Sequence, residues 1–229
     1  MRMPPARASA RTVLRYATYT LARLSADPGA ADLAERLRPH ARKVRTAEQE
    51  WRDGREAAIE MMAMRDAADA SLDALLAELD ATAKARHGRD RDNLVMSKLF
   101  GRGGYSFVTS APLDTELKET DRIVIVLGTI GDEVLASYGP KLAKAAEDLR
   151  TARKRHIDAL SAAAEKKALL EVAILDFRAV YPAVYGLALD RFPTERRRVD
   201  AYFYSARRSG TPAEPEEADE GDDDEPTPS

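Results

Sequence analysis

His40 and His156 are two of only three histidines in the 229-residue chain, and each falls where a long helix would bury it. A buried imidazole pair binds a metal ion or titrates near neutral pH. The register argues against such a pair. In an antiparallel helical hairpin, facing residues have a nearly constant sum of numbers. Helix ends near 87 and 114–121 put that sum at about 201–208, whereas His40 and His156 add to 196. The two miss each other by roughly one or two helical turns. Neither Glu-x-x-His nor His-Glu-x-x-His occurs. The spacing predicts two isolated histidines at core or boundary positions, and no metal site or cofactor.

Arginine supplies the second chemistry. Arg7, Arg11 and Arg15 recur every four residues near the N-terminus. Arg196, Arg197, Arg198, Arg207 and Arg208 cluster near the C-terminus, among Tyr202, Phe203 and Tyr204. Guanidinium groups bind phosphates and exposed aromatics stack on bases, so these arginines are the candidate anion- or nucleic-acid-binding residues. A plainer role suits the same residues: the aromatics close the end of a helical bundle and the arginines solvate its rim.

Other chemistries fail on residue type or spacing. There is no cysteine, which removes disulfides, thiolate metal sites and cysteine nucleophiles together. The three glycines of 101–104 lack the Gly-Lys-Ser/Thr of a phosphate loop. GYSFV lacks the base, the small central residue and the final aromatic of the RNA-recognition signature, with Gly103, Ser106 and Ser110 in their places. Asp90, Asp92 and Asn93 lack the glycine and distal glutamate of a calcium loop and read as a solvated turn. Acids on the long helices sit among Lys and Arg at three- and four-residue spacing, as surface ion pairs do. No serine–histidine–acid arrangement stands out, and the expectation is a non-catalytic protein.

Two stretches carry the architecture. Leu33, Leu37, His40, Val44, Ala47, Trp51, Gly54, Ala58, Met61, Arg65, Ala68, Leu72, Leu75 and Leu79 alternate spacings of four and three. So do Leu135, Tyr138, Leu142, Ala145, Leu149, Ala152, His156, Ala159, Ala163, Lys166, Leu170, Ala173, Phe177 and Val180. This is the pattern of long helices that each bury one seam. The expected elements are a first helix over 6–26 with an apolar stripe of Leu14, Ala17, Leu21 and Leu24, and a second over 30–86 that Pro39 kinks or breaks. Gly88 suits a cap. Residues 88–112 read as a long non-helical connection with a minor extended segment at 105–109. Helix resumes near 114, takes in the β-branched run 122–130, restarts after Gly139-Pro140 and reaches about Tyr181. A short last helix is expected within 194–206.

Many apolar residues lie off the seams: Ile59, Met62, Met64, Leu76, Ile123, Ile125, Val126, Leu169, Val172, Ile174 and Leu175. A lone hairpin would leave them wet, so a bundle of three or four helices or a second chain must cover them.

Charge is unevenly spread. Residues 209–229 hold nine acids and no Lys or Arg; the other residues carry 36 basic against 30 acidic side chains, although the whole chain is −3. Residues 1–44 hold nine Lys or Arg against three acids. Acid-free residues 1–26 have the composition of a transit peptide, which a first helix with a basic outer face explains equally. No unbroken apolar run reaches 18 residues, so no membrane span is expected.

The fold class expected is all-α: an elongated antiparallel helical hairpin or bundle over 1–208, followed by a disordered acidic tail over 209–229. The function expected is a cytoplasmic scaffold or adaptor acting through protein partners, with a homodimer foremost among them. The alternative is nucleic-acid binding through the arginine clusters, modulated by the tail.

Overall fold

A computed structural model describes residues 4, 5, 8–88, 93–101 and 103–204. Arg7, Arg207, Arg208 and the tail lie outside them, so the expectation of a disordered tail does too. Among the described residues every regular element is an α-helix, as the two seams predict: α1 (Ala10–Ser25), α2 (Ala31–His87), α3 (Leu94–Phe100), α4 (Tyr105–Thr109), α5 (Leu113–Leu127), α6 (Glu133–Ala136), α7 (Tyr138–Arg191) and α8 (Arg196–Tyr202).

Local chemistry sets most helix ends. Ser9 caps α1 by accepting from the Thr12 amide. Asp27 Oδ1 accepts from the Gly29 amide at 2.9 Å and turns the chain toward α2. Gly88, at φ 89°, ends α2 in the left-handed conformation that glycine adopts without strain. Pro140 sits in the first turn of α7, where a missing N–H costs nothing.

Neither internal proline ends its helix. α2 runs through Pro39 without a break, and α7 runs through Pro182 to Arg191 rather than ending near Tyr181. Each proline loses one backbone hydrogen bond, but the residues around it are sealed: Leu37 and Ala41 in α2, Tyr181 and Val184 in α7. Tertiary packing outweighs a local cost of about 3 kcal/mol.

Residues 88–112 also correct the sequence reading. Among the described residues, Leu94–Phe100 is α3 and Tyr105–Thr109 is α4, not an extended segment. Gly101 and Gly104, at φ 62° and 72°, take positive-φ conformations that favour glycine. Asn93 caps α3 and Arg122 donates to the carbonyls of Lys98 and Leu99 at its far end. Leu99, Phe100 and Val108 are thereby buried, and such burial stabilises short helices that would not persist alone.

The chain forms two compact units, one from residues up to Arg55 together with those from Ser161 onward, the other Glu56–Leu160. In the first, Val13, Leu24, Leu33, Leu37, Val44, Phe177, Tyr181, Val199 and Phe203 make the core. The deepest stripe of α1 is Val13, Ala17, Thr20 and Leu24, with Leu14 and Leu21 only half-buried. In the second unit, Leu72, Leu76, Leu79, Leu99, Ile123, Leu127, Leu135, Leu142 and Leu149 pack together. Not one seam residue is exposed.

The register differs from the sequence expectation. In the first unit Asp32 pairs with Arg191, Lys43 Nζ lies 4.0 Å from Asp176, and Gly54 faces Ala163. In the second, Arg65 meets His156 at 3.4 Å and Thr82 meets the Tyr138 hydroxyl at 3.1 Å. Facing numbers therefore add to about 220 rather than 201–208. The reason is that α3 to α6 occupy the connection, so α2 returns as α7 only from Tyr138.

Gly54 permits a close approach: a Cβ there would lie 3.4 Å from the Ala163 Cα and 2.9 Å from the Lys166 Cδ. Gly54→Leu is expected to lower the first unit's stability by about 1–3 kcal/mol through overpacking, read as a fall in the denaturation midpoint.

Candidate functional site

The arginines come first. Arg11 and Arg15 are exposed on α1, and Arg196 and Arg197 are exposed at the start of α8. The helices pack antiparallel: Tyr19 and Arg23 donate to the Ala201 carbonyl, and Arg198 reaches Asp27. The two exposed groups therefore sit at opposite ends of the α1–α8 pair. Arg15 and Ser25, the last residue of α1, are separated by about 15 Å of helix rise. The fold does not gather them into one patch.

Arg198 has an internal role. It donates to Asp27 Oδ2 at 2.6 and 3.0 Å and to Glu195 at 2.9 Å, and stacks 4.2 Å above the Phe192 ring. The Tyr202 hydroxyl donates to the same Asp27 oxygen. These bonds, from Tyr202 first and Arg198 next, hold the Asp27 carboxyl down at about 2. The aromatics between the arginines face inward. Phe203 packs edge-on against Tyr181 and Tyr185, Tyr204 packs against Tyr16 and Tyr19, and Tyr202 is buried. They close the end of the first unit and leave no stacking platform for bases at Tyr202 or Phe203.

The two histidines fall in different units. His40 belongs to the first unit, and its Nδ1 is buried without a hydrogen-bond partner. His156 belongs to the second, where burial and then the Arg65 charge push its pKa down. His87 pairs with Asp132, which also caps α6 and accepts from Arg86.

A carboxyl cluster escaped the sequence reading. Asp69 and Asp73 lie one turn apart on α2; Glu116 and Thr120 lie one turn apart on α5. Glu116 is 4% exposed and Thr120 is fully buried. Asp69 Oδ1, Asp73 Oδ1, Glu116 Oε1 and Thr120 Oγ1 are all buried without hydrogen-bond partners. Burial first, then the charges of Asp69 and Asp73, push Glu116 up to about 8. Burial and the neighbouring Asp73 and Asp66 also raise Asp69. Among the described residues no three ligating side chains converge to hold a metal ion. The cluster as built keeps a proton. Its sequence signal was two aspartates at i and i+4, a repulsive spacing that surface ion pairing does not explain.

The off-seam apolar residues are only partly covered. Leu76 and Ile123 are buried, while Ile59, Met64, Ile125, Leu169, Val172 and Leu175 are exposed. The helical run Glu133–Arg191 contains an 18-residue window of mean hydropathy 1.4, of which 28% is buried. By length and composition it is apolar enough to cross a membrane. Glu171, Asp176 and Arg178 interrupt this region in the sequence, which is why no unbroken apolar run is visible there.

The fold defines an all-helical bundle protein. No family model matches the chain, and no curated protein or solved structure matches it.

Proposed function

We propose that this protein is a non-catalytic helical scaffold or adaptor that works through protein–protein contact, including contact with its own copies. The observation that carries the reading is the outer face of α7. Leu169, Val172 and Leu175 are 60%, 56% and 62% exposed, on a helix whose opposite face is sealed by Leu170, Ala173 and Phe177. A contiguous apolar strip on a well-packed helix marks a contact surface. Light scattering coupled to gel filtration tests it: a species larger than the monomer supports self-association, and a monomer at every concentration overturns it.

A second reading is phosphate or nucleic-acid binding by the exposed Arg11, Arg15, Arg196 and Arg197. Their exposure favours it, and the inward-facing aromatics weigh against base stacking. Binding to single- and double-stranded nucleic acid at low and moderate salt, with and without residues 209–229, is the test. Tail-sensitive binding that weakens with salt supports this reading, and no binding at low salt removes it.

A further inference from the structure

The second unit is built of unequal parts. Its sections of α2 and α7 touch each other directly, through Arg65 with His156 and through the Tyr138 hydroxyl with Thr82 and Glu78. The helices between them are short: α3, α4 and α5 have 7, 5 and 15 residues. Helices of that length do not persist without a surface to pack on. The three contact one another. Arg122 of α5 binds the Lys98 and Leu99 carbonyls of α3, and the Phe100 and Tyr105 rings meet edge-on at 6.4 Å. Gly88 before this layer and Gly131 after it both have positive φ.

One face of the layer is held by apolar side chains, Leu99, Phe100, Val108, Leu117, Ile123 and Leu127, which do not respond to pH. Beside them lie Glu116 and Thr120, each more than nine-tenths buried and each with an unpartnered oxygen, as have Asp69 and Asp73 of α2. A buried carboxyl in that state is tolerated when neutral and strongly disfavoured when charged.

We propose that α3, α4 and α5 form a pH-dependent flap, which lifts from α2 as one layer when the carboxyl cluster loses its proton, while α2 and α7 stay paired.

The surrounding charges leave the cluster uncompensated. From α2, Asp69 and Asp73 both disfavour ionisation of Glu116, and Arg65 acts on Asp69 against Asp66. From α7, Arg150 and Arg153 are engaged by Asp121 and Asp114 of α5. His156, lowered by burial and then by the Arg65 charge, is already neutral above about pH 6.5 and changes no charge there. From α4, the Tyr105 hydroxyl donates to the Asp73 carbonyl at 3.5 Å. Lys98 of α3 and Lys118 of α5 are exposed, and Glu119 pairs with Arg122. Every group acting on Glu116 pushes it up, to about 8. Once lifted into water, Glu116 returns toward its ordinary 4.5. The open form therefore releases a proton that the closed form keeps, and opening grows as pH rises between these values. The gain is roughly twentyfold from pH 6.5 to pH 8.5.

Amide hydrogen exchange on the full chain, corrected for the intrinsic effect of pH and run where reclosing outpaces exchange, reads this opening. The amides of α3, α4 and α5 are expected to share one protection factor, lower than that of Leu142–Leu149 in α7, and to lose roughly twentyfold of it between pH 6.5 and 8.5. Glu116→Gln abolishes the loss, and Asp73→Asn, which removes one facing charge, reduces it. Equal protection in α5 and α7 means that the unit opens as a whole and overturns the flap. Protection in α5 that does not change with pH, or a loss that persists in E116Q, overturns the cluster as its trigger.

Discussion

Glu116→Gln will stabilise this protein above neutral pH and have little effect in acid. The cause is the carboxyl cluster between α2 and α5. Glu116 is buried with its pKa pushed up to about 8, against an ordinary glutamate value of 4.5. The native state therefore holds a proton that the unfolded chain releases above about 4.5. A raised folded pKa gives a contribution that is complete below 4.5 and falls as pH rises toward 8. Each unit of pH across that window costs about 1.4 kcal/mol, so the loss is of order 3–5 kcal/mol by pH 8. Glutamine stays neutral, fills the same volume and presents an amide donor to the buried oxygens of Asp69 and Asp73. The variant should melt on the order of 10 °C above the parent at pH 8–9, with the gap closing toward pH 4.5. A gap that does not change with pH would refute the cluster's part in it. Asp69 acts in the same direction, because its pKa is raised as well.

Phe177→Ala and Leu175→Ala, two residues apart on α7, should differ severalfold in cost. Phe177 is fully buried among Tyr181 and the first unit's core, and its truncation removes the transfer free energy of a large ring and leaves a cavity. The expected loss is about 3–5 kcal/mol, seen as a shift in denaturation midpoint with the slope unchanged. Leu175 is 62% exposed. At concentrations where the protein is monomeric, its truncation should cost no more than about 0.5 kcal/mol. Equal losses would mean that α7 buries a different face.

Much of this contrast was legible in the sequence. Phe177 sits on a seam and Leu175 does not, and periodicity alone assigned their faces. It also placed most of the β-branched run 122–130 in a helix, with Ile123 and Leu127 on the helical spacing and buried, although α5 ends at Leu127 and leaves 128–130 outside it. The second unit's smaller helices were harder to see. α3 and α4 are too short to show a period, and they persist because Arg122 caps one and the core covers both.

The candidate sites followed the same division. The numbering that set the histidines apart rested on a facing sum that the register corrects, and the inward turn of Tyr202 and Phe203 was one of the two roles open to them. The place of Arg198 in the Asp27–Tyr202 network was hidden, because Asp27 lies 171 residues away. The carboxyl cluster was hidden for the same reason: Glu116 joins Asp69 and Asp73 only through the packing of α5 on α2.

The pattern of apolar and small residues by itself determined that this protein is helical, which faces its long helices bury, and that part of α7 would need a further cover. Periodicity leaves one quantity free. Sliding a helix past its partner by whole heptads keeps every seam residue on the seam, and the difference between facing sums near 205 and near 220 is about two heptads. Only the tertiary structure chose between them, because the choice depends on how α3 to α6 fill the connection, and no local spacing records that.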